Sequence, residues 1–161
     1  MHPNKELIHQ FYTAFAQRDY EKMNACYHED ARFSDSVFLT LEGKEIQAMW
    51  HMLCLNAQSL SIDFQDVSAD DNKGSCHWEA TYLFSATGRE VHNIIEAKFE
   101  FKDGKIIKHK DSFNLWKWAN MALGSKGLWF GWLPSVQNRI RKTAMGNLAK
   151  FITQHPEYAK K

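Results

Sequence analysis

Three runs of alternating apolar and polar residues, separated by turns too short to hold a helix, constrain this chain more than any other feature. Cys76, Trp78, Ala80, Tyr82 and Phe84 alternate with His77, Glu79 and Thr81 in the first run. Val91, Asn93, Ile95, Ala97, Phe99 and Phe101 form one face of the second, and Lys105 to Phe113 forms the third. Successive side chains on a strand point to opposite faces, so each run reads as a half-buried strand. Thr87-Gly88-Arg89 and Asp103-Gly104 supply tight turns, and strands joined by tight turns are antiparallel. A shorter run precedes them, with Leu60, Ile62 and Phe64 against Ser61, Asp63 and Gln65, and ends at the turn-forming Asp70-Asp71-Asn72-Lys73-Gly74.

The third run carries an anomaly. Ile107, His109, Asp111 and Phe113 share one face, while Ile106, Lys108, Lys110 and Ser112 share the other. Lysines need water, so the alternation predicts an imidazole and a carboxylate on the buried face. Burying such groups without partners is expensive, so the pair is either hydrogen-bonded structurally or placed for chemistry.

Helical patterns flank the strands. From Asn4 to Gln17, residues Leu7, Ile8, Phe11, Tyr12 and Phe15 recur at helical spacing. Asp19 caps a short second helix carrying Met23, Cys26 and Tyr27. Ala31 to Val37 then alternates as a strand with Phe33, Asp35 and Val37 on one side, a second carboxylate on an apolar face. Gly43 opens a third helix bearing Ile46, Met49, Trp50 and Leu53. After the strands come a short helix over Leu115 to Leu123 and a glycine-rich stretch from Gly124 to Gly131. Pro134 then precedes a helix with a narrow apolar stripe, Val136, Ile140, Ala144, Leu148, Phe151 and Ile152, flanked by Arg139, Arg141, Lys142 and Lys150. Helices first and a strand meander afterwards make an α+β pattern.

At 161 residues and 44% hydrophobic the chain can bury one real core. The net charge of +1 exerts no overall pull toward nucleic acid, yet from Lys126 onward seven Lys and Arg residues face only Glu157. Cys26, Cys54 and Cys76 are odd in number and form no CxxC pair, which argues against a disulfide framework or zinc site. The first residues contain no apolar leader region, and no apolar run approaches the roughly 18 to 20 residues of a membrane span, so a cytoplasmic protein is expected. HExxH, GxGxxG and P-loop motifs are absent, so no metal and no nucleotide or other cofactor is expected. His9, His28, His51, His77, His92 and His155 lack metal-ligand spacing and read as surface groups.

The order of elements, with the stretches Phe11 to Tyr20, Tyr27 to Asp35 and Phe99 to Asp111, resembles the nuclear transport factor 2-like superfamily, in particular its SnoaL-like, ketosteroid isomerase-like branch. The resemblance covers about Asn4 to Trp118, so a SnoaL-like domain over residues 1–118 is expected, with 119–161 as an aromatic and basic helical extension packed on it. It implies a cone-shaped half-barrel whose N-terminal helices and curved, mainly antiparallel sheet enclose one pocket. Phe33, Asp35, Trp78, Tyr82, Asn93, His109, Asp111 and Phe113 from the sheet, with Phe15 and Trp50 from the helices, would line or back it.

Asp35 falls where the similar ketosteroid isomerases carry their general base. Their helix-borne tyrosine falls on Phe11, with Tyr12 about 100° further round, and their second proton donor falls nearest Ala97, so steroid-type isomerisation is disfavoured. Epoxide-hydrolase chemistry of the limonene type needs an arginine between two aspartates, and Arg32 alternates away from Asp35. Cofactor-independent lyase, isomerase or cyclase chemistry on a hydrophobic cyclic or carbonyl compound survives. In it Asp111 or Asp35 is the base, His109 its partner, and Asn93 or Tyr82 a donor to an oxyanion. Phe15, Trp50, Trp78, Tyr82, Asn93 and Phe113 are the expected ligand contacts. The alternative is a binding module that sequesters an apolar metabolite, or a dimeric interaction domain. Expected partners are a small hydrophobic molecule and a second copy of the chain, with no nucleic acid; membrane contact through the basic C-terminal helix is the minority reading. Gly127-Leu128-Trp129-Phe130-Gly131-Trp132 is too apolar to face water and is expected to be covered, by its own domain or a second subunit.

Overall fold

The computed structural model describes residues 1–56 and 59–160. Along the chain lie α1 (Pro3–Ala16), α2 (Tyr20–Ala25), β1 (Tyr27–Ser34), β2 (Leu41–Glu42), α3 (Lys44–Asn56), β3 (Ser61–Ala69), β4 (Lys73–Phe84), β5 (Arg89–Lys102) and β6 (Lys105–Ser112). Three further helices follow, α4 (Leu115–Leu123), α5 (Ser125–Phe130) and α6 (Pro134–Gln154), and a 3-10 turn (Pro156–Tyr158) ends the described chain. The strands form one curved, unclosed six-stranded sheet in the order β2-β1-β6-β5-β4-β3. All neighbours are antiparallel except β1 and β6, which run parallel.

The turns set the meander. Asp103 and Gly104 both take positive φ, 53° and 72°, the geometry that folds a hairpin back with the natural twist of its strands. β4 and β5 pair without interruption from Lys73–Glu100 to Phe84–Arg89, which brings Cys76, Trp78 and Ala80 beside Ala97, Ile95 and Asn93 on one face. Between β5 and β6 the register slips by one residue, from Glu100–Lys108 to Phe101–Ile106. Ile106 is therefore wholly buried and Ile107 only half-buried, the reverse of what simple alternation predicts.

Helices α1 and α3 cover the concave face. Pro3 sits in the first turn of α1, and the His2 ring accepts the Asn4 N–H at 3.1 Å, so the helix begins capped. Ile8, Phe11, Tyr12 and Phe15 are its buried stripe. The expected second helix stops at Ala25, two residues early. The Cys26 carbonyl accepts from Ile106 N–H at 2.9 Å and Tyr27 pairs with Ile106, so sheet pairing takes Tyr27 into β1. β1 likewise ends at Ser34, before Asp35. The Asp35 carboxylate accepts the N–H groups of Val37 and Phe38, and its own N–H bonds the Phe38 carbonyl, folding the chain into a turn.

The extension packs on this frame, α4 against β5 and α6 against α3. One expected surface histidine is not on the surface. His51 is 8% exposed, stacks on Tyr20 with ring centroids 3.7 Å apart, and meets the Tyr158 hydroxyl at 2.9 Å. Burial, then the nearby His155, holds its pKa below the usual imidazole value.

Candidate functional site

The concave face, α3 and the extension line a cavity of about 910 Å³ that is open to solvent. Phe15, Trp50, Trp78, Tyr82, Asn93 and Phe113 all line it, as do Asp35 and Asp111. His109 does not. Its 1% exposure places it behind the wall, where Phe11, Phe33 and Phe99 pack their rings against it at centroid distances of 5.6, 5.0 and 4.4 Å.

What His109 does instead is join a buried hydrogen-bond chain. Trp50 Nε1–H donates to Tyr27 Oη at 3.0 Å, Tyr27 Oη lies 2.7 Å from His109 Nδ1, and His109 Nε2 lies 2.9 Å from Asp111 Oδ1. From the opposite side Trp78 Nε1–H donates to the same Oδ1 at 3.3 Å. An indole N–H can only donate, so Tyr27 accepts from Trp50 and passes its own proton toward Nδ1. Nε2–H then points at Asp111. Burial holds the Tyr27 phenol well above its ordinary pKa, against the opposing hydrogen bond from Trp50, so it remains a donor. Asp111 is 4% exposed, and its Oδ2 has no hydrogen-bond partner among the described residues. That oxygen is the free end of the chain.

Asp35 is arranged in a parallel way from the other side. Its Oδ1 accepts from Val37 N–H at 2.7 Å and Phe38 N–H at 2.6 Å, and its Oδ2 has no hydrogen-bond partner among the described residues. Burial pushes its pKa up to about 7; the two backbone donors oppose that shift, and the charge of Asp111 adds to it. At neutral pH a proton therefore has a place on Asp35. Tyr82 accepts the Trp118 indole proton at 2.8 Å, and burial raises its phenol pKa, so its O–H also remains a donor. The Asn93 side chain has no partner among the described residues and completes the polar set.

Tyr12, one position round from the expected family tyrosine, lies in the core against Phe64 and Trp78, away from the cavity lining. Its hydroxyl is buried without a partner among the described residues. Arg32 is exposed and pairs with Glu42 at 3.5 Å, outside the cavity.

Two contributions escaped the sequence reading. Tyr27 falls in the expected second helix, and nothing in that helical pattern sets it beside His109; its place in β1, next to β6, does. Arg139, Thr143, Asn147 and Lys150 also line the cavity from α6. Their spacings of four, four and three residues put them on one helix face; only the apolar neighbours Ile140, Ala144 and Phe151 had marked that face as packed. Arg139 makes no ion pair with Asp35 or Asp111 among the described residues.

The SnoaL-like domain model matches residues 8–109. The chain belongs to the SnoaL-like domain family. The match takes in Tyr27, Asp35, Asn93 and His109 and ends two residues before Asp111, so α4 to α6 lie outside it. No curated protein sequence matches this SnoaL-like protein. Among solved structures, it is similar to an LEH-like epoxide hydrolase of M. tuberculosis, with 16% identity over 82% of this chain and 96% of that one and a TM-score of 0.61. A hypothetical protein of Catenulispora acidiphila with a ketosteroid isomerase-like fold aligns at 9% identity over 73% and 92% of the two chains, with a TM-score of 0.64. TerC, co-crystallised with polyporic acid, aligns at 16% identity over 70% and 92%, with a TM-score of 0.59. At these identities the likeness establishes the shared fold, which hosts unrelated activities. Among the described residues, no three His, Cys, Asp or Glu side chains are grouped to hold a metal ion, and no helix is long and apolar enough to cross a membrane.

Proposed function

We propose that the SnoaL-like cavity performs acid/base chemistry on a hydrophobic cyclic compound, removing a proton from carbon next to a carbonyl as an isomerase, lyase or cyclase does. The carrying observation is the buried chain Trp50–Tyr27–His109–Asp111, which ends at the cavity wall on a carboxylate oxygen with no partner among the described residues. Asp111 Oδ2 accepts the proton, and His109, held in one tautomer by Tyr27, positions it. Asp35, with its pKa near 7, returns a proton to the substrate, and Tyr82 or Asn93 donates to the developing enolate oxygen. The aromatic walls account for the choice of an apolar ring. TerC's polyporic acid supports a cyclic ligand by analogy of fold alone.

One observation favours a purely binding role: each aspartate also stabilises its own surroundings, Asp35 by closing a turn and Asp111 by holding Trp78. The two readings separate with 2-tetralone, a bicyclic ketone, in D2O. Under the catalytic reading the protein accelerates deuterium uptake at the ketone's α-carbon, and Asp111→Asn lowers that acceleration by roughly 10² to 10⁴. Tryptophan quenching by the ketone without any acceleration, or acceleration unchanged in both Asp111→Asn and Asp35→Asn, defeats it.

A further inference from the structure

The stretch expected to be covered, with Trp116 beside it, holds the exposed Trp and Phe side chains among the described residues. Trp129 is 69% exposed, Trp132 56%, Phe130 54%, Leu128 46% and Trp116 43%. Its smallest residues are the ones that pack. Gly127 is buried against the Ala119 carbonyl, where any Cβ would collide with the α4 backbone, and Gly131 is buried beside the Ala119 methyl and Trp116. The glycines take the inner side of α5, so its large side chains are turned outward on a rigid support.

Two further features show what such a surface suits. The indole N–H groups of Trp116 and Trp132 donate to the carbonyls of Leu128 and Trp129 at 3.1 and 3.0 Å, so these rings can enter an apolar phase without a stranded donor. From Ser112 to Pro156 the sequence contains Lys117, Lys126, Arg139, Arg141, Lys142 and Lys150 but no Asp or Glu. A two-fold contact with a second copy would set like charges against one another, whereas an anionic surface complements them.

We propose that the α4–α5–α6 face docks on a lipid bilayer containing anionic phospholipid. Trp129, Phe130 and Trp132 enter the interfacial region, and the exposed Lys117 of α4 and Lys126 of α5 meet the headgroup phosphates. On either side of this patch the chain lines the cavity, through Trp118 and Leu123 of α4 and through Arg139 and Ile140 of α6. Docking therefore brings cavity-lining segments of α4 and α6 close to a reservoir of apolar molecules. The inference stands on the surface alone and does not depend on the chemistry proposed for the cavity.

Flotation of the full chain with vesicles of phosphatidylcholine plus phosphatidylglycerol, and of phosphatidylcholine alone, tests it. The protein should float with the mixed vesicles, more weakly as salt is added, and much less with the neutral ones. The exposed triple substitution Trp129→Ser, Phe130→Ser, Trp132→Ser should lower binding at least about tenfold with an unchanged circular dichroism spectrum. Lys117→Glu with Lys126→Glu should weaken binding to the mixed vesicles selectively. Failure of the native chain to float with either vesicle at low salt overturns the proposal, as does undiminished flotation of the triple variant. A dimer that the triple variant dissociates, in a protein that binds no vesicles, assigns the patch to a second copy instead.

Discussion

The floor of the cavity and the extension beside its mouth invert the usual distribution of polar and apolar groups in opposite senses. At the floor, His109 and Asp111 are buried at 1% and 4% exposure, and each is fixed by a neighbour that can only donate or only accept in that position. In the extension, aromatic rings are left in water while the glycines beside them are buried. A buried polar group is tolerated when hydrogen bonds replace those it made to water, so the floor is costly to disturb. An exposed apolar group stabilises nothing in the monomer, so the outer surface of the extension can change freely unless something binds there.

The largest stability effect should come from the floor. His109→Leu strands the Tyr27 hydroxyl and removes a donor from Asp111, at a cost of about 3 kcal/mol by urea titration. A loss below roughly 1 kcal/mol would show that the chain is not a structural unit. Gly127→Ala tests the rigid part of the extension: a methyl group meeting the Ala119 carbonyl should cost about 1 to 3 kcal/mol, although alanine is ordinarily the better helix residue. If the variant is as stable as the parent, α5 is not seated on α4 as described.

Tyr27→Phe is subtler, since it keeps the ring and deletes only the link between Trp50 and His109. About 1 to 2 kcal/mol should be lost. In the tetralone assay the catalytic term should fall with little change in ketone binding, because His109 loses the partner that fixes its tautomer. A change confined to binding contradicts the positioning role.

Asp35 supplies a pH test. Its carboxyl has a pKa near 7 when folded and an ordinary one, about 4, when unfolded, so the native state holds the extra proton between those values. Its contribution is thus fully present below pH 4 and is lost as the pH rises through 7. Asp35→Asn keeps the turn-closing oxygen and abolishes the titration. Because the cavity opens to water, the variant should gain only about 1 kcal/mol relative to the parent by pH 8. Parallel stability curves from pH 4 to 8 would remove Asp35 as the titrating group. The smallest effect belongs to the outer surface of the extension, where Trp129→Ser should alter monomer stability by no more than about 0.5 kcal/mol.

How much of this was legible in the chain varies by element. The antiparallel β4–β5–β6 meander was readable because period-two alternation and turn chemistry are local signals. The same alternation put His109 and Asp111 inside together. It could not show that only Asp111 reaches the cavity, because a strand face does not reveal which of its residues another layer covers; Phe11, Phe33 and Phe99 supply that cover for His109. Tyr27 was missed because two sheet contacts override the helical pattern around it. The Ile106–Ile107 reversal was missed because a one-residue register slip leaves no mark in either strand alone.

The sequence by itself determined the α+β class, the order of the strands along the chain, the apolar walls and the presence of carboxylates among them, since each follows from the spacing of side chains on one element. The tertiary structure decided what those carboxylates can do. A hydrogen-bond chain from Trp50 on α3 through Tyr27 on β1 to His109 and Asp111 on β6 requires three elements distant in sequence to meet within hydrogen-bond reach. The same holds for the outward aromatic patch, because the backbone contact of Gly127 with Ala119 settles which side of α5 faces water.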